Sequence, residues 1–199
     1  KLDRYNVKVE LTATKRVGFH KYTYPQADDA YMIIDLDNGN GWDEPSEGYV
    51  VQENDTVVSG YRYSKGWAND QRVFFTAVFS KPIKKFVVSE GGKERMSNAS
   101  LKSKRVYGLA YFDMKANEEV FVKVALSPVS VENAKLNMQA ELPHLNFEKV
   151  IADADKAWNE ELNKIQIKTA DESIKRIFYT AMYHTMIAPS VFNDVNGDY

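Results

Sequence analysis

The sequence contains no cysteine, which excludes disulfides, thiolate metal sites and thiol nucleophiles. It also lacks a marked excess of either charge. Its 26 basic side chains face 28 acidic ones, and a net charge of −2 gives no electrostatic case for nucleic acid or an anionic membrane. No apolar run approaches the roughly 18 residues that a spanning helix needs. No signal peptide is visible, but Lys1 is not a natural first residue, so the compartment stays open. Internal repeats, low-complexity linkers, a Gly-x-Ser-x-Gly elbow, a phosphate-cradling Gly loop and a dinucleotide fingerprint are all missing.

Metal chemistry finds little support. His20, His144 and His184 are the three histidines, and none has a second His at metal-ligating helical spacing. Two Asp-rich stretches invite comparison with a calcium loop. The run from Asp35 places Gly39 fifth, Asn40 sixth and Ser46 twelfth, and one aligned on Gly197 starts at Phe192 and ends too early. Neither is an EF-hand; both read as turns built by Asn, Asp and Gly.

What is present divides in two. Val7, Val9, Leu11 and Ala13 alternate with polar residues, the period of a half-buried strand. Short runs at 31–36, 50–54, 56–64, 72–79, 84–90, 105–112 and 118–126 continue the pattern, separated by turn chemistry such as "DNGNGWDEPSEG" and "EGGKE". An antiparallel sandwich or barrel follows. From Asn146, a candidate N-cap, apolar residues fall at Phe147, Val150, Ile151, Ala154, Trp158, Leu162 and Ile165, one stripe of a helix. An extended piece is expected at 164–169. A second helix, about 174–188, is capped by Asp171 or Ser173 and ends at Pro189. It is apolar on two opposite faces and so expects helical neighbours.

Four features carry candidate roles. Trp42 and Trp67 stand in Gly-flanked polar loops, suited to stacking on sugar faces or to capping a sandwich core. His184 lies on the apolar helix one turn before a polar loop, where a satisfied core histidine is the alternative. The sequons at 54–56 and 98–100 are short patterns of low specificity.

Several segments carry a resemblance: "ELTATKRVGFHKYTYP" (10–25), "GYRYSKGWANDQRVFFTAVFSKP" (60–82), "VALSPVSVENAKLNMQAEL" (124–142), "AWNEELNKIQIK" (157–168) and "IFYTAMYHTMIAPSVFNDVNGDY" (177–199). In this order, over nearly the whole chain, they resemble glycoside hydrolase family 92, mostly bacterial α-mannosidases. The resemblance implies a mainly β fold: an N-terminal antiparallel β-sandwich at 1–143, a linker helix and short strand at 144–170, and from 171 the start of a truncated (α/α)6 catalytic barrel. It implies an exo-acting, inverting hydrolase of terminal α-linked mannose, with calcium as cofactor and a periplasmic, secreted or cell-surface location. Catalytic residues and calcium ligands are expected downstream of Tyr199, leaving this chain inert alone. Asp194, Asn193, Asn196, Trp67 and His184 are the substrate-binding candidates, with Asp198 beside them. An Asx-turn is the alternative for that loop. Partners implied are a mannose-containing glycan and the rest of the barrel, with no nucleic acid and no membrane span. Residues 170–199 are expected to be loosely held or to drive self-association through the apolar helix. A free-standing carbohydrate-binding or structural sandwich is the competing reading.

Overall fold

A computed structural model describes residues 1–39 and 41–199. After one turn of 3-10 helix, Asp3–Tyr5, come eleven strands: β1 (Lys8–Ala13), β2 (Val17–Tyr24), β3 (Ala27–Asp35), β4 (Glu44–Gln52), β5 (Val57–Lys65), β6 (Gln71–Phe79), β7 (Lys85–Glu90), β8 (Glu94–Met96), β9 (Ser100–Ser103), β10 (Val106–Met114) and β11 (Glu118–Ser127). Three helices follow: α1 (Val131–Glu141), α2 (Phe147–Leu162) and α3 (Glu172–Thr185). The strands form a seven-stranded sheet, β1-β2-β11-β6-β5-β4-β9, and a four-stranded sheet, β3-β10-β7-β8. Every pairing is antiparallel.

Strand periodicity sorts the side chains into layers. Val58, Phe75, Ala77, Phe79, Val120 and Val122 of the large sheet meet Phe86, Val88, Val106, Ala110 and Phe112 of the small one. This is the sandwich core. Residues of the opposite parity, Val17, Phe19 and Ala125, face outward, where α1 and α2 cover them with Ala134, Met138, Leu142, Phe147 and Val150. The protein thus has three layers: small sheet, large sheet, helices. Asn146 caps α2 by accepting from Lys149 N at 3.0 Å, and Asp171 caps α3 by accepting from Ser173 N at 2.8 Å.

Three expectations need correction. Residues 131–141 are a helix, capped by Ser130, that the apolar pattern does not announce. Residues 164–169 form no strand: Ile165 and Ile167 alternate as in a strand, but the segment joins neither sheet. The segment after 170 is also not uniformly loose. Helix α3 has no buried residue, and Ile174, Ile177 and Ile187 are exposed, yet the loop that follows is anchored firmly, as shown below.

The exposed face of α3 gives a direct expectation. Ile177 is 69% exposed, so it contributes little to folding and is available for association. Ile177→Lys should leave thermal stability within about 0.5 kcal/mol of the parent and shift light-scattering mass toward the monomer. An unchanged mass distribution would remove this face from the association.

Candidate functional site

The register places one set of turns at one end of the sandwich. Ala13 pairs with Gly18, Val17 with Ala125, Phe74 with Ser127, Ser64 with Gln71 and Glu44 with Lys65. The β1–β2 turn, the 36–43 connection, the β5–β6 turn and the exit of β11 therefore emerge together. The small sheet contributes the end of β3 and the start of β10, where Leu36 N donates to Val106 O at 3.0 Å. The last residues of the chain return to this end, where Arg16 Nε donates to Asn193 O at 2.6 Å.

Asp194 sits at the centre of that return. It is 1% exposed. Its Oδ2 accepts from Ser127 Oγ at 2.7 Å and Asn133 Nδ2 at 2.9 Å, and its Oδ1 accepts from Asn137 Nδ2 at 2.6 Å. Asn133 and Asn137 are one turn apart on the inner side of α1, so both amides point at one carboxylate. Asn137 gives its other proton to Leu126 O and accepts from Val195 N, each at 2.9 Å. Within the loop, Asp194 N donates to Asp198 O and Gly197 N to Asp194 O. Gly197 takes φ +92°, a conformation that a side chain resists. A buried carboxylate needs donors, and here three are supplied.

This geometry bears on the sugar-binding expectation for Asp194. Its carboxylate faces inward and both oxygens are engaged, which supports the turn as its role in this chain. Asn193 Nδ2 donates to Asp194 O, and Asn196 Nδ2 donates to Asp198 Oδ2 at 2.7 Å. Both side chains are at the surface, but those amides serve the loop. His184 is exposed on α3 with its ring 5.8 Å from that of Tyr183. It is no core histidine. His20, in contrast, lies on β2 with Nδ1 2.9 Å from Tyr22 Oη, and burial pushes its pKa down.

A second cluster stands at the same end of the sandwich. Trp67 is 92% and Trp42 67% exposed, their rings edge to face with centroids 6.1 Å apart. Below them Arg62, which is on β5, donates from Nη1 to Asp43 Oδ2 at 2.5 Å and from Nε to Leu36 O at 3.1 Å. Asn38, Gly39 and Gln71 complete a cleft of about 550 Å³. The turns thus bring Trp67 and Asp194 to one end of the molecule but into separate clusters. Sequence reasoning missed Ser127, Asn133, Asn137, Arg62 and Asp43. The i, i+4 spacing of Asn133 and Asn137 was the signal for the first cluster.

The least exposed carboxylates here are all committed. Glu141 accepts from Thr14 Oγ1 at 2.6 Å and pairs with Arg16 at 2.5 Å. Burial pushes Glu141 up, but the bonds from Thr14 and Arg16 outweigh it and hold its carboxyl below the usual range. Asp37 accepts from Arg105 Nε at 2.9 Å and Tyr107 Oη at 2.8 Å. The Arg105 bonds hold Asp37 below the ordinary aspartate range against the opposing effect of burial, and Tyr107 adds to the lowering. A depressed folded pKa contributes stability above the unfolded value, about 3.9, and loses it as pH falls through the folded one. Asp37→Asn should therefore be less stable than the parent at neutral pH, with the gap closing as pH drops below about 4. Melting curves across that window check this; a gap independent of pH would contradict it. Among the described residues, no three His, Cys, Asp or Glu side chains come together as a metal site.

Comparison with known proteins adds to this geometry. Residues 1–127 match the family model of the glycosyl hydrolase family 92 N-terminal domain, and residues 133–199 that of the family 92 catalytic domain. A solved family 92 α-mannosidase of Bacteroides thetaiotaomicron is 34% identical with a TM-score of 0.91, over 98% of this chain and 27% of that one. A second structure of that enzyme contains mannoimidazole. An inverting family 92 mannosidase of the same organism shares the fold at 21% identity and TM-score 0.85, over 96% of this chain and 26% of its own. An uncharacterized secreted glycosidase of Arthroderma benhamiae is 37% identical over 81 residues, 39% of this chain and 10% of that protein. The chain spans about a quarter or less of the length of these relatives.

Proposed function

The chain belongs to glycosyl hydrolase family 92, and from that premise we propose that it is the sandwich and first catalytic-domain segment of an exo-acting, inverting α-mannosidase that removes terminal α-linked mannose from glycans. The observation that carries this reading is the 34% identity to an α-mannosidase, sustained over 98% of the chain at TM-score 0.91. The match of 133–199 to the catalytic domain weighs against a free-standing sandwich module.

Inversion needs a carboxylic acid to protonate the leaving oxygen and a carboxylate to activate water across the ring, about 6.5–9.5 Å apart. The loop-end carboxylates Asp37, Asp43, Glu141 and Asp194 each have a cation or amide partner within hydrogen-bond distance. We therefore assign acid and base to residues outside this chain. Calcium, implied by the resemblance, does not fit the residues here: Asn133 Nδ2 donates to both Asp194 and Asp198, filling with N–H the space a cation would need.

The contribution of this chain is positional. The sandwich supplies a rigid end, and α3 with the segment after it, where Ile174, Ile177, Ile187 and Phe192 are exposed, is the face against which further helices of a barrel pack. Domain limits of 1–143, 144–170 and 171–199 describe that division. Secretion of one relative supports an exported protein, in a bacterium periplasmic or at the cell surface. No helix among the described residues is long and apolar enough to cross a membrane.

A substrate panel tests the reading. A longer protein that contains this chain should release mannose from α-linked mannobioses and from aryl α-mannoside, and leave the matching α-glucosides and α-galactosides intact. The 199-residue chain alone should release none. Equal activity on glucosides, or none on any mannoside, would overturn it.

A further inference from the structure

We infer that the cleft under Trp42 and Trp67 is a binding subsite for one pyranose ring of a neutral glycan. The family reading enters only in the choice of mannose as the first sugar to try; the site itself stands on its geometry.

Two indoles this exposed, at 67% and 92%, are not core caps. Their planes meet at 77°, so they form a corner rather than a stack. One face is open to the C–H face of a sugar, and the second ring walls its edge. A pyranose presents this combination, an apolar face bordered by hydroxyls that each donate and accept. The polar side of the cleft answers in kind. Asn38 and Gln71 bring amides of both senses, and Arg62 and Asp43 bring a cation beside an anion. Because that pair cancels its own charge, the cleft favours a neutral ligand over a phosphate or a carboxylate. Asp43 Oδ1 and Arg62 Nη2 are buried at its floor with no hydrogen-bond partner among the described residues. The cleft, about 550 Å³, lies within the usual range for small-ligand sites.

The cleft is also held in shape. Arg62 projects from β5, and its bond to Leu36 O ties that strand to the connection carrying Trp42. Two glycines press the loops onto the ion pair: a Cβ at Gly39 would lie 2.5 Å from Asp43 Oδ2, and one at Gly66 3.0 Å from Asp43 Cα. Backbone packed that closely keeps Trp42 and Trp67 in register, which cuts the ordering cost of binding.

The chain has three tryptophans, and so three indole N–H resonances. In a titration of the 15N-labelled 199-residue chain with α-mannotriose, the Trp42 and Trp67 signals should move saturably, with the Trp158 signal unmoved. Assignment comes from single Trp→Phe variants. Trp67→Ala, which removes a side chain almost wholly in solvent, should keep the dispersed spectrum and weaken binding about tenfold or more. If neither signal moves with mannotriose, maltotriose or a galactotriose, or if Trp67→Ala binds as the parent does, the subsite is withdrawn. Movement with maltotriose or galactotriose alone would keep the subsite and count against the mannosidase reading. Mannoside hydrolysis by a longer protein without any indole response would retire the subsite alone. Protection of both indoles from acrylamide quenching in that longer protein, with no sugar added, would show a protein contact instead and overturn the inference.

Discussion

Asp194→Ala should release residues 190–199 from the sandwich while the two sheets stay folded. The substitution removes the acceptor for Ser127 Oγ, Asn133 Nδ2 and Asn137 Nδ2. Hydrogen bonds to a charged group contribute about 1.5–3 kcal/mol each, and a buried donor left unmade costs a similar amount. The three do not simply add, because once the loop lifts away water reaches the freed donors. A net loss of about 3 kcal/mol remains, close to a hundredfold rise in the opening of the segment. Hydrogen exchange at the amides of Asp194, Val195 and Gly197 reads this directly, since all three donate within the cluster. Asp194→Asn should fall between parent and Ala. It keeps one acceptor oxygen but turns an NH2 toward donors that need an acceptor. In a longer, active protein, kcat/KM for the two variants should fall in the order of their lost protection. A fall in kcat/KM with exchange unchanged would instead give the carboxylate a direct role at the substrate.

The largest loss of stability is expected at the second core. Phe19 is fully buried, its ring 5.1 Å from that of Phe147 on α2 and 5.9 Å from that of Phe121 on β11. It joins the helical layer to the outer face of the large sheet. Phe19→Ala removes the ring and leaves a cavity that Val17, Leu142 and Val150 cannot fill without moving, a cost of about 3–5 kcal/mol. For a protein of this size the melting temperature should drop on the order of 10 °C. Trp158 lies on α2 with its ring 4.7 Å from that of Tyr183, so its fluorescence should follow the loosening of the helix. A shift below about 2 °C would mean that α2 is not held by this cluster.

The two layers of strands were legible in the sequence where period-2 alternation ran, as from Val7 to Ala13, or where β-branched and aromatic residues clustered, as in β6 and β11. β8 and β9 escaped because three or four residues, Glu94–Met96 and Ser100–Ser103, are too few to show a period. Helix α1 escaped for a more informative reason. Its buried side carries Asn133 and Asn137 beside Ala134 and Met138, and an apolar-periodicity reading discards a stripe that is half amide. Those same asparagines make the Asp194 cluster, so the element that broke the pattern is the one that builds the site. The Asn- and Asp-rich loop was visible, but the choice between turn and ligand depended on partners some sixty positions earlier. The pairing of Trp42 with Trp67 was equally hidden, since it depends on the bulged register of β4 with β5, in which Glu44 faces Lys65.

Proton NMR of mannose in the first minutes of hydrolysis, by a longer protein that contains this chain, tests the central claim most directly. Cleavage of an α-mannoside in one displacement by water places the new hydroxyl on the opposite face of the ring. The account predicts that β-mannose appears first and that the α anomer grows in only at the rate of mutarotation. Initial release of α-mannose, or no release of mannose at all, would contradict it.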